Sequence, residues 1–210
     1  CYGVMTHIRC GDYTAASVLA DELVMLADEN DALFWKALGI EFKGSLFALT
    51  GKCSKAVHAI TSGRTALRAQ GATIYEPWFL SNLATAYAEL SQFDDAWRCI
   101  REAMTDIETS IETWCESEIN RTAGEIALLS PAPDATKAEA YFERALAVAR
   151  KQQAKSWELR AAMSLARLWR DHGKPQQARE LLAPVYGWFT EGFDTLDLKE
   201  AKALLAELAL

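Results

Sequence analysis

Residues 75–103 read YEPWFLSNLATAYAELSQFDDAWRCIREA. In this stretch the small residue Ala84 is followed by Tyr87, then by a turn-like pair, Ser91-Gln92, and then by a second small residue, Ala96. Apolar side chains three and four residues apart on each side of the turn are typical of two amphipathic helices. The stretch therefore predicts a helical hairpin whose two helices approach each other closely at the small residues.

The same arrangement recurs along the chain about every 40 residues. The alanine that follows each turn recurs at Ala16, Ala56, Ala96, Ala138 and Ala178, with spacings of 40, 40, 42 and 40. The turn-like pairs before these alanines are Gly11-Asp12, Gly51-Lys52, Ser91-Gln92 and Gly173-Lys174, and the small residues of the preceding helices are Gly44, Ala84, Gly124 and Ala166. A period of this length predicts a stack of helix pairs, each of which buries one face within the pair and another against its neighbour.

The repeat predicts an all-α fold, an α-α solenoid of about five helix pairs in one domain over residues 1–210. The predicted helices are 12–28, 32–49, 53–69, 76–90, 93–109, 112–129, 135–153, 156–171, 175–185 and 198–209, and residues 2–10 are interpreted as the second half of a helix. In this scheme 1–28 is an incomplete first pair, 32–69, 76–109, 112–153 and 156–185 are pairs, and 186–210 is a C-terminal capping segment. Asp197 followed by Glu200 predicts a capping box for the last helix.

Composition and charge exclude several classes of protein. The net charge of -7 disfavours non-specific binding to nucleic acids or anionic membranes. The longest uncharged stretch, Pro77–Ala88, is too short to span a bilayer as a helix. The cysteines, Cys1, Cys10, Cys53, Cys99 and Cys115, show no C-x-x-C spacing, and an odd, scattered set predicts a reducing, cytoplasmic location.

No motif in the sequence predicts catalysis, a cofactor or a metal site. Thr50-Gly51-Lys52-Cys53 lacks the first glycine and the hydroxyl of a P-loop, because Leu46 and Cys53 occupy those positions. His7, His58 and His172 are far apart and form no metal-ligand pattern. We therefore predict that this chain is not an enzyme and binds no cofactor.

The repeat columns resemble the tetratricopeptide (TPR) repeat. The best matches are Gly11-Asp12-Tyr13 with Ala16, Ala84 and Tyr87 with Phe93 and Ala96, and Ala166 and Trp169 with Gly173-Lys174 and Ala178. The period of about 40 exceeds the usual 34 and implies helices longer by about a turn. The resemblance implies a right-handed superhelix whose concave groove binds a protein or peptide.

Two C-terminal stretches, Lys155–Trp169 and Ala178–Leu205, resemble the C-terminal TPR region of large bacterial signalling proteins. Those proteins join a class III adenylate/guanylate cyclase domain, or a DNA-binding output domain, to an ATPase of the signal-transduction type. The resemblance implies that this chain is an interaction arm of a longer protein whose catalysis lies elsewhere. The alternatives are the TPR region of an ATP-dependent transcriptional regulator, a free-standing TPR adaptor and a small-molecule sensor.

In such a solenoid the first helix of each pair should line the groove. Projection at helical spacing gives the candidate partner-binding residues Trp78, Ser81 and Thr85 in one pair and Arg160, Met163, Arg167 and Arg170 in another. The three arginines predict an acidic partner, because guanidinium groups pair bidentately with carboxylates. The alternatives are a solvated face balanced by Glu158 and Asp171, and core packing for Trp78.

Two further partners follow from the same scheme. Other domains of a parent chain would contact the arm. Self-association would use the apolar face of helix 12–28, formed by Val18, Leu19, Leu23 and Leu26, because this helix lacks a complete partner.

Overall fold

The computed structural model of the chain describes residues 1–109 and 112–209. Within these ranges every regular element is a helix, which confirms the predicted all-α class. The eleven α-helices found there are α1 (Tyr2–Cys10), α2 (Tyr13–Glu29), α3 (Leu33–Leu49), α4 (Cys53–Arg68), α5 (Glu76–Glu89), α6 (Phe93–Thr109), α7 (Glu116–Leu129), α8 (Ala135–Lys151), α9 (Lys155–Asp171), α10 (Pro175–Tyr186) and α11 (Leu196–Glu207). The predicted boundaries agree to within a few residues; α7 starts later than predicted, because a 3-10 turn, Thr113–Cys115, precedes it.

The helices form two compact units, Cys1–Glu112 and Thr113–Leu210. In the first unit α1 packs on α2, α3 on α4 and α5 on α6, while α3 also contacts α2 and α5. In the second unit α7 packs on α8 and α9 on α10, while α9 also contacts α7 and α8 and the last helix, α11, packs on both α9 and α10. Each unit is therefore a stack of helical hairpins. The organisation of residues 1–210 as one domain stays a prediction.

The turns of the repeat are closed by residues with a left-handed backbone. Within the hairpins these residues are Gly11, Gly51, Ser91 and Gly173, and between hairpins they are Asp31, Gly71 and Gln153. Glycine adopts this conformation without a steric penalty because it has no Cβ. The backbone N–H one residue later donates to a carbonyl of the preceding helix, as Lys52 does to Phe47 at 2.8 Å and Lys174 to Trp169 at 2.8 Å. These hydrogen bonds give the hairpins α1–α2, α3–α4, α5–α6 and α9–α10 turns of similar geometry. The α7–α8 turn differs, since Ser130 is extended and the Asp134 N–H donates to the Ala127 carbonyl at 3.1 Å.

Small residues set the short distance between the two helices of a hairpin. A Cβ added at Gly44 of α3 would lie 2.5 Å from Cγ1 and 2.9 Å from the backbone nitrogen of Ile60 in α4. At Gly124 of α7 it would lie 2.4 Å from Cε1 of Phe142 in α8. The five repeat alanines of the second helices are all completely buried. The repeated small residues are thus the positions at which the helices cross.

The first helices of the hairpins are more enclosed than the second helices. Helices α3, α5, α7 and α9 bury residues around most of their circumference, whereas α4 buries one stripe formed by Cys53, Ala56, Ile60, Gly63 and Leu67. Each of these helices contacts its own partner and at least one neighbouring hairpin or helix of the same unit, so little of its surface remains for solvent. No helix in residues 1–109 and 112–209 is long and apolar enough to cross a membrane.

Ion pairs connect successive hairpins at one fixed position of the repeat. The residue twelve positions after the repeat alanine pairs with a residue in the first turn of the next helix. The pairs are Asp28–Lys36, Arg68–Glu76 at 2.8 Å and Arg150–Glu158 at 2.9 Å. The corresponding sequence positions Glu108 and Glu116 are both acidic. The order of charges is reversed in Asp28–Lys36, where the acidic residue precedes the basic one.

The first unit exposes apolar side chains on α2. Val18, Met25 and Leu26 are largely exposed, whereas Leu19 and Leu23 are half-buried. The side chains of this face are therefore available to solvent in the described part of the chain. Self-association through them stays a prediction.

We predict that Gly44→Ala lowers the free energy of unfolding by about 1–3 kcal/mol, because the added methyl group meets the backbone of α4. Gly3→Ala is the matched control, since Gly3 is also within a helix but faces only a flexible Leu19 methyl group, 3.3 Å from the added carbon. The control should be neutral or more stable by up to about 1 kcal/mol. Urea denaturation measures both, and equal effects of the two substitutions would contradict the close approach at Gly44.

Candidate partner-binding site

The predicted arginine face lies on α9, which runs from Lys155 to Asp171 and ends before the left-handed Gly173. Arg160, Arg167 and Arg170 share one side of this helix because they are seven and ten residues apart. Met163, predicted to lie beside them, is only 2% exposed and belongs to the core. The structure therefore brings the three arginines together but leaves Met163 without an accessible surface.

Arg160 is the centre of a buried polar network. Its Nε donates to Oδ2 of Asp197 in α11 at 2.8 Å, and its Nη1 donates to Oε1 of Glu118 in α7 at 3.2 Å. Glu118 also accepts both arms of a fork from Arg121, at 2.8 and 2.9 Å. The guanidinium of Arg160 lies 5.3 Å from the ring centroid of Trp157, within the range of a cation–π contact.

The charges of this network stabilise one another. Burial opposes ionisation of the Glu118 carboxyl, but the attraction of Arg121 and Arg160 outweighs it and lowers the pKa of Glu118 to about 2. The same carboxylates, Glu118 and Asp197, raise the pKa of Arg160 against the opposing effect of its burial. Removing one member of such a group would leave a buried charge without its partner. Arg160 therefore helps to hold α7, α9 and α11 together. A substitution of Arg160 would change the stability of the protein as well as any binding on α9.

Arg167 and Arg170 are more accessible than Arg160 and pair with the chain's own last helix. Arg167 donates from Nη2 to Oε2 of Glu200 at 2.8 Å, and Arg170 donates from Nη1 to Oε2 of Glu207. Arg170 also donates to Oδ1 of Asp171 at 2.9 Å. The arginine side of α9 thus binds carboxylates in this structure, and those carboxylates come mainly from α11.

The predicted capping box at the start of α11 is wrong. The N-cap residue is Thr195, the helix begins at Leu196, and no side chain caps its first turn. The carboxylates of Asp197 and Glu200 are directed to Arg160 and Arg167 instead. Ion pairs with α9 replace the local caps because both guanidinium groups are within hydrogen-bond distance.

The other predicted site residues lie in α5 of the first unit and face its interior. Trp78 is 4% exposed, with its ring centroid 6.1 Å from that of Phe42 and 5.1 Å from that of Phe79. The hydroxyl of Ser81 donates to the Trp78 carbonyl at 2.8 Å, and the hydroxyl of Thr85 donates to the Ser81 carbonyl at 3.1 Å. These hydroxyl groups are satisfied by their own helix. A partner-binding role for Trp78, Ser81 and Thr85 stays a prediction.

A second cluster of charges, buried at Glu41 and Glu76 and more exposed at Glu102 and Arg68, lies in the first unit, where the sequence predicted only groove-lining positions. Arg64 of α4 donates to Glu76 of α5 and to Glu102 of α6, and Arg68 contacts the same two carboxylates at 2.8 and 2.9 Å. Glu41 of α3 is completely buried beside them. The signal in the sequence is a single glutamate, Glu41, within a long apolar run of α3.

Glu41 differs from the carboxylates around it because it lacks an ion pair. Neither of its carboxyl oxygens has a hydrogen-bond partner among the described residues. Gly63 of α4 gives its side chain room, since a Cβ at Gly63 would lie 2.6 Å from Glu41 Cγ. Burial, reinforced by the negative charge of Glu76, raises the pKa of Glu41 to about 9 against the attraction of Arg64 and Arg68. The Glu41 carboxyl is therefore protonated at neutral pH.

The described residues offer no second kind of site. They contain no group of three or more His, Cys, Asp or Glu side chains that could hold a metal ion. Three of the cysteines, Cys53, Cys99 and Cys115, are buried. His58 is exposed on α4.

Comparison with known proteins identifies the fold. No family model matches the sequence, and no curated protein matches it. The chain is similar to a kinesin light chain-like protein of Podosopora anserina that has nearly identical TPR-like repeats. The crystal structure of a single-residue variant of that protein gives a TM-score of 0.56 and 16% identity, over 88% of this chain and 90% of that chain. A second crystal structure of these repeats, without the substitution, gives a TM-score of 0.54 and 15% identity, over 97% of this chain and 92% of that chain. The chain thus has a TPR-like helical repeat fold, as its sequence columns predict.

We predict that Glu41→Gln removes a pH dependence of stability. In the wild type the folded-state pKa of about 9 lies above the ordinary value of 4.5, so the stabilising contribution of the proton is complete below pH 4.5 and is lost as pH rises through 9. Between these values the wild type should lose up to about 1.4 kcal/mol per pH unit relative to Glu41→Gln. Urea denaturation at pH 5.5, 6.5, 7.5 and 8.5 measures the difference.

The matched control for this experiment is Glu102→Gln. It removes a carboxyl of the same cluster whose pKa is lowered by Arg64 and Arg68, which outweigh its partial burial. Its difference from the wild type should therefore stay constant above pH 5.5. Parallel stability curves for the wild type and Glu41→Gln would show that Glu41 is ionised in the folded protein.

Proposed function

We propose that this chain is a protein-interaction module that binds an acidic partner on the arginine side of α9. The observation that carries the proposal is the row of Arg160, Arg167 and Arg170, which engages three carboxylates of α11 in a chain of net charge -7. Guanidinium groups aligned on one helix face recognise carboxylates by paired hydrogen bonds. The TPR-like fold supports a scaffold that presents such a helix to a partner.

The accessible part of this side is formed by Arg167 and Arg170. Each guanidinium carries five N–H donors, and within the described ranges Arg167 uses one nitrogen for Glu200. Both arginines are partly exposed, so a ligand carboxylate can reach them without unfolding the network around Arg160. We therefore assign recognition to Arg167 and Arg170 and structural support to Arg160.

The same proposal extends to the parent protein. The stretches Lys155–Trp169 and Ala178–Leu205 support an assignment as the C-terminal arm of a bacterial signalling protein of the adenylate/guanylate cyclase type. In that setting partner binding on α9 would change the position of a stiff arm and thereby affect the ATPase and output domains. The chemistry of the output would belong to the parent, in the cytoplasm, and not to these residues.

The role of α9 is tested by capture from cell lysate with the chain as bait. Arg167→Glu/Arg170→Glu should reduce capture of an acidic partner at least tenfold, because both contacts change from attraction to repulsion. Arg144→Glu/Arg179→Glu is the matched control, since these arginines are exposed on α8 and α10 and the change in net charge is the same. A partner that is retained equally by both double variants does not bind on α9, and the proposal would then fail.

The assignment of the parent is tested by the coding sequence upstream of Cys1. It should encode a class III cyclase domain with metal-binding aspartates, followed by a P-loop ATPase. A DNA-binding output domain in its place would select the transcriptional regulator, and a start codon directly before Cys1 would select the free-standing adaptor.

A further inference from the structure

We infer that the partner accepted by α9 is an acidic amphipathic helix, and that α11 is the chain's own occupant of the same face. This inference rests on the proposed function and specifies the shape and chemistry of the ligand. The inference follows from the contacts of α11. One stripe of this helix carries carboxylates that pair with α9, and another carries buried apolar residues.

The two stripes of α11 have a regular spacing. The carboxylates that engage α9 are Asp197, Glu200 and Glu207, and the buried apolar residues are Leu198, Ala201, Leu204 and Leu208. The ligand is thereby defined as a helix with carboxylates at positions i, i+3 and i+10 and apolar residues at i+1, i+4, i+7 and i+11. Helix-in-groove recognition uses anchors at such spacings.

Helix α11 occupies the place that the next hairpin would take. Arg160 of α9 bridges Glu118 of α7 and Asp197 of α11, so α9 contacts the helices on both sides through one guanidinium. The ion pairs become more exposed along α11. Arg160–Asp197 is largely buried, whereas Arg167–Glu200 and Arg170–Glu207 are partly open to solvent. A competing helix would therefore meet the second half of α11 first.

The connection to α11 favours exchange. The hairpin turns marked by a glycine or serine are two or three residues long, whereas residues 187–195 separate α10 from α11. In this connection the backbone bonds are short-range, such as Thr195 to Gly192 at 2.9 Å, and α11 has no side-chain cap. Elements with few supporting contacts open at a lower free energy than the rest of a fold. Opening of α11 would leave the α9–α10 hairpin folded.

The test uses the full chain and a fluorescein-labelled peptide of residues 194–210, DTLDLKEAKALLAELAL, as the ligand. Glu200→Gln/Glu207→Gln weakens the attachment of α11 but keeps its apolar contacts. The peptide should bind this variant about tenfold more tightly than the wild type, as expected for the loss of two partly exposed ion pairs. Fluorescence anisotropy measures the affinities.

The matched control is Glu191→Gln/Asp194→Asn, which removes the same charge from residues that have no ion pair in the described part of the chain. It should bind the peptide as weakly as the wild type does. A scrambled peptide of the same composition should bind none of the chains.

Charge exchange gives the decisive arm of the experiment. The variant Arg167→Glu/Arg170→Glu should not bind the wild-type peptide. It should bind a peptide that carries Glu200→Arg and Glu207→Arg, because the ion pairs are restored with reversed polarity. A general loss of folding cannot produce such a switch.

Hydrogen exchange supplies a second measurement that needs no variant. Amides of α11 should exchange at least tenfold faster than those of α9 and α10, and the difference should grow with salt, which screens the exposed pairs.

Equal exchange of α11 and α9, equal peptide affinity of all chains, or failure of the charge-exchanged peptide would each overturn the inference. So would a full-length dimer in which α11 occupies the face of a second copy. Capture by α9 from lysate is independent of these outcomes, since it requires no particular shape of partner.

Discussion

The architecture depends on how closely the two helices of each hairpin approach. At Gly44 the backbone of the partner helix is so near that even a methyl group would collide with it, and at Gly124 the ring of Phe142 fills the space of a side chain. Short turns with a left-handed residue keep the helices in this register. Close hairpins stack closely in turn, and the first helix of each pair loses most of its solvent-exposed surface. The burial of Glu41, Glu118 and Arg160 on those helices follows from this enclosure.

Two solutions to the problem of an enclosed charge are present in the chain. In the second unit Glu118 is surrounded by guanidinium groups and remains ionised, with its pKa lowered to about 2. In the first unit Arg64 is shared by two other carboxylates, and Glu41 takes up a proton instead, with its pKa raised to about 9. The first arrangement is insensitive to pH across the physiological range, whereas the second ties folding to proton uptake. On α9, Arg167 and Arg170 keep accessible surface for a ligand, whereas Arg160 is largely buried.

The helices and their turns could be predicted because they depend on local residue patterns. A glycine or serine at the turn and an alanine five residues later identify four of the hairpins, and the period of about 40 residues identifies the hairpin that contains Ala138. The burial of Trp78 and Met163 was not predictable in this way. Projection onto a single helix shows which residues share a face, but it does not show that a neighbouring hairpin covers that face. The partners of Arg160 were missed because Glu118 and Asp197 are about 40 residues away in either direction. The local pattern of Asp197 and Glu200 predicts a capping box instead, because local rules do not include distant arginines.

The ion pairs between hairpins have a consequence for how such repeats can be recombined. Asp28 and Lys36 join two hairpins with the acid first, while Arg68 and Glu76 join the next two with the base first. A hairpin ending in Arg68 would meet a like charge if Lys36 followed it, and one ending in Asp28 would meet a like charge before Glu76. The hairpins are therefore not interchangeable modules, although their backbones repeat. The charge pattern restricts their order, because Arg68 matches Glu76 and equally Glu158 but not Lys36. An array shuffled across the first junction would therefore need its junction charges changed.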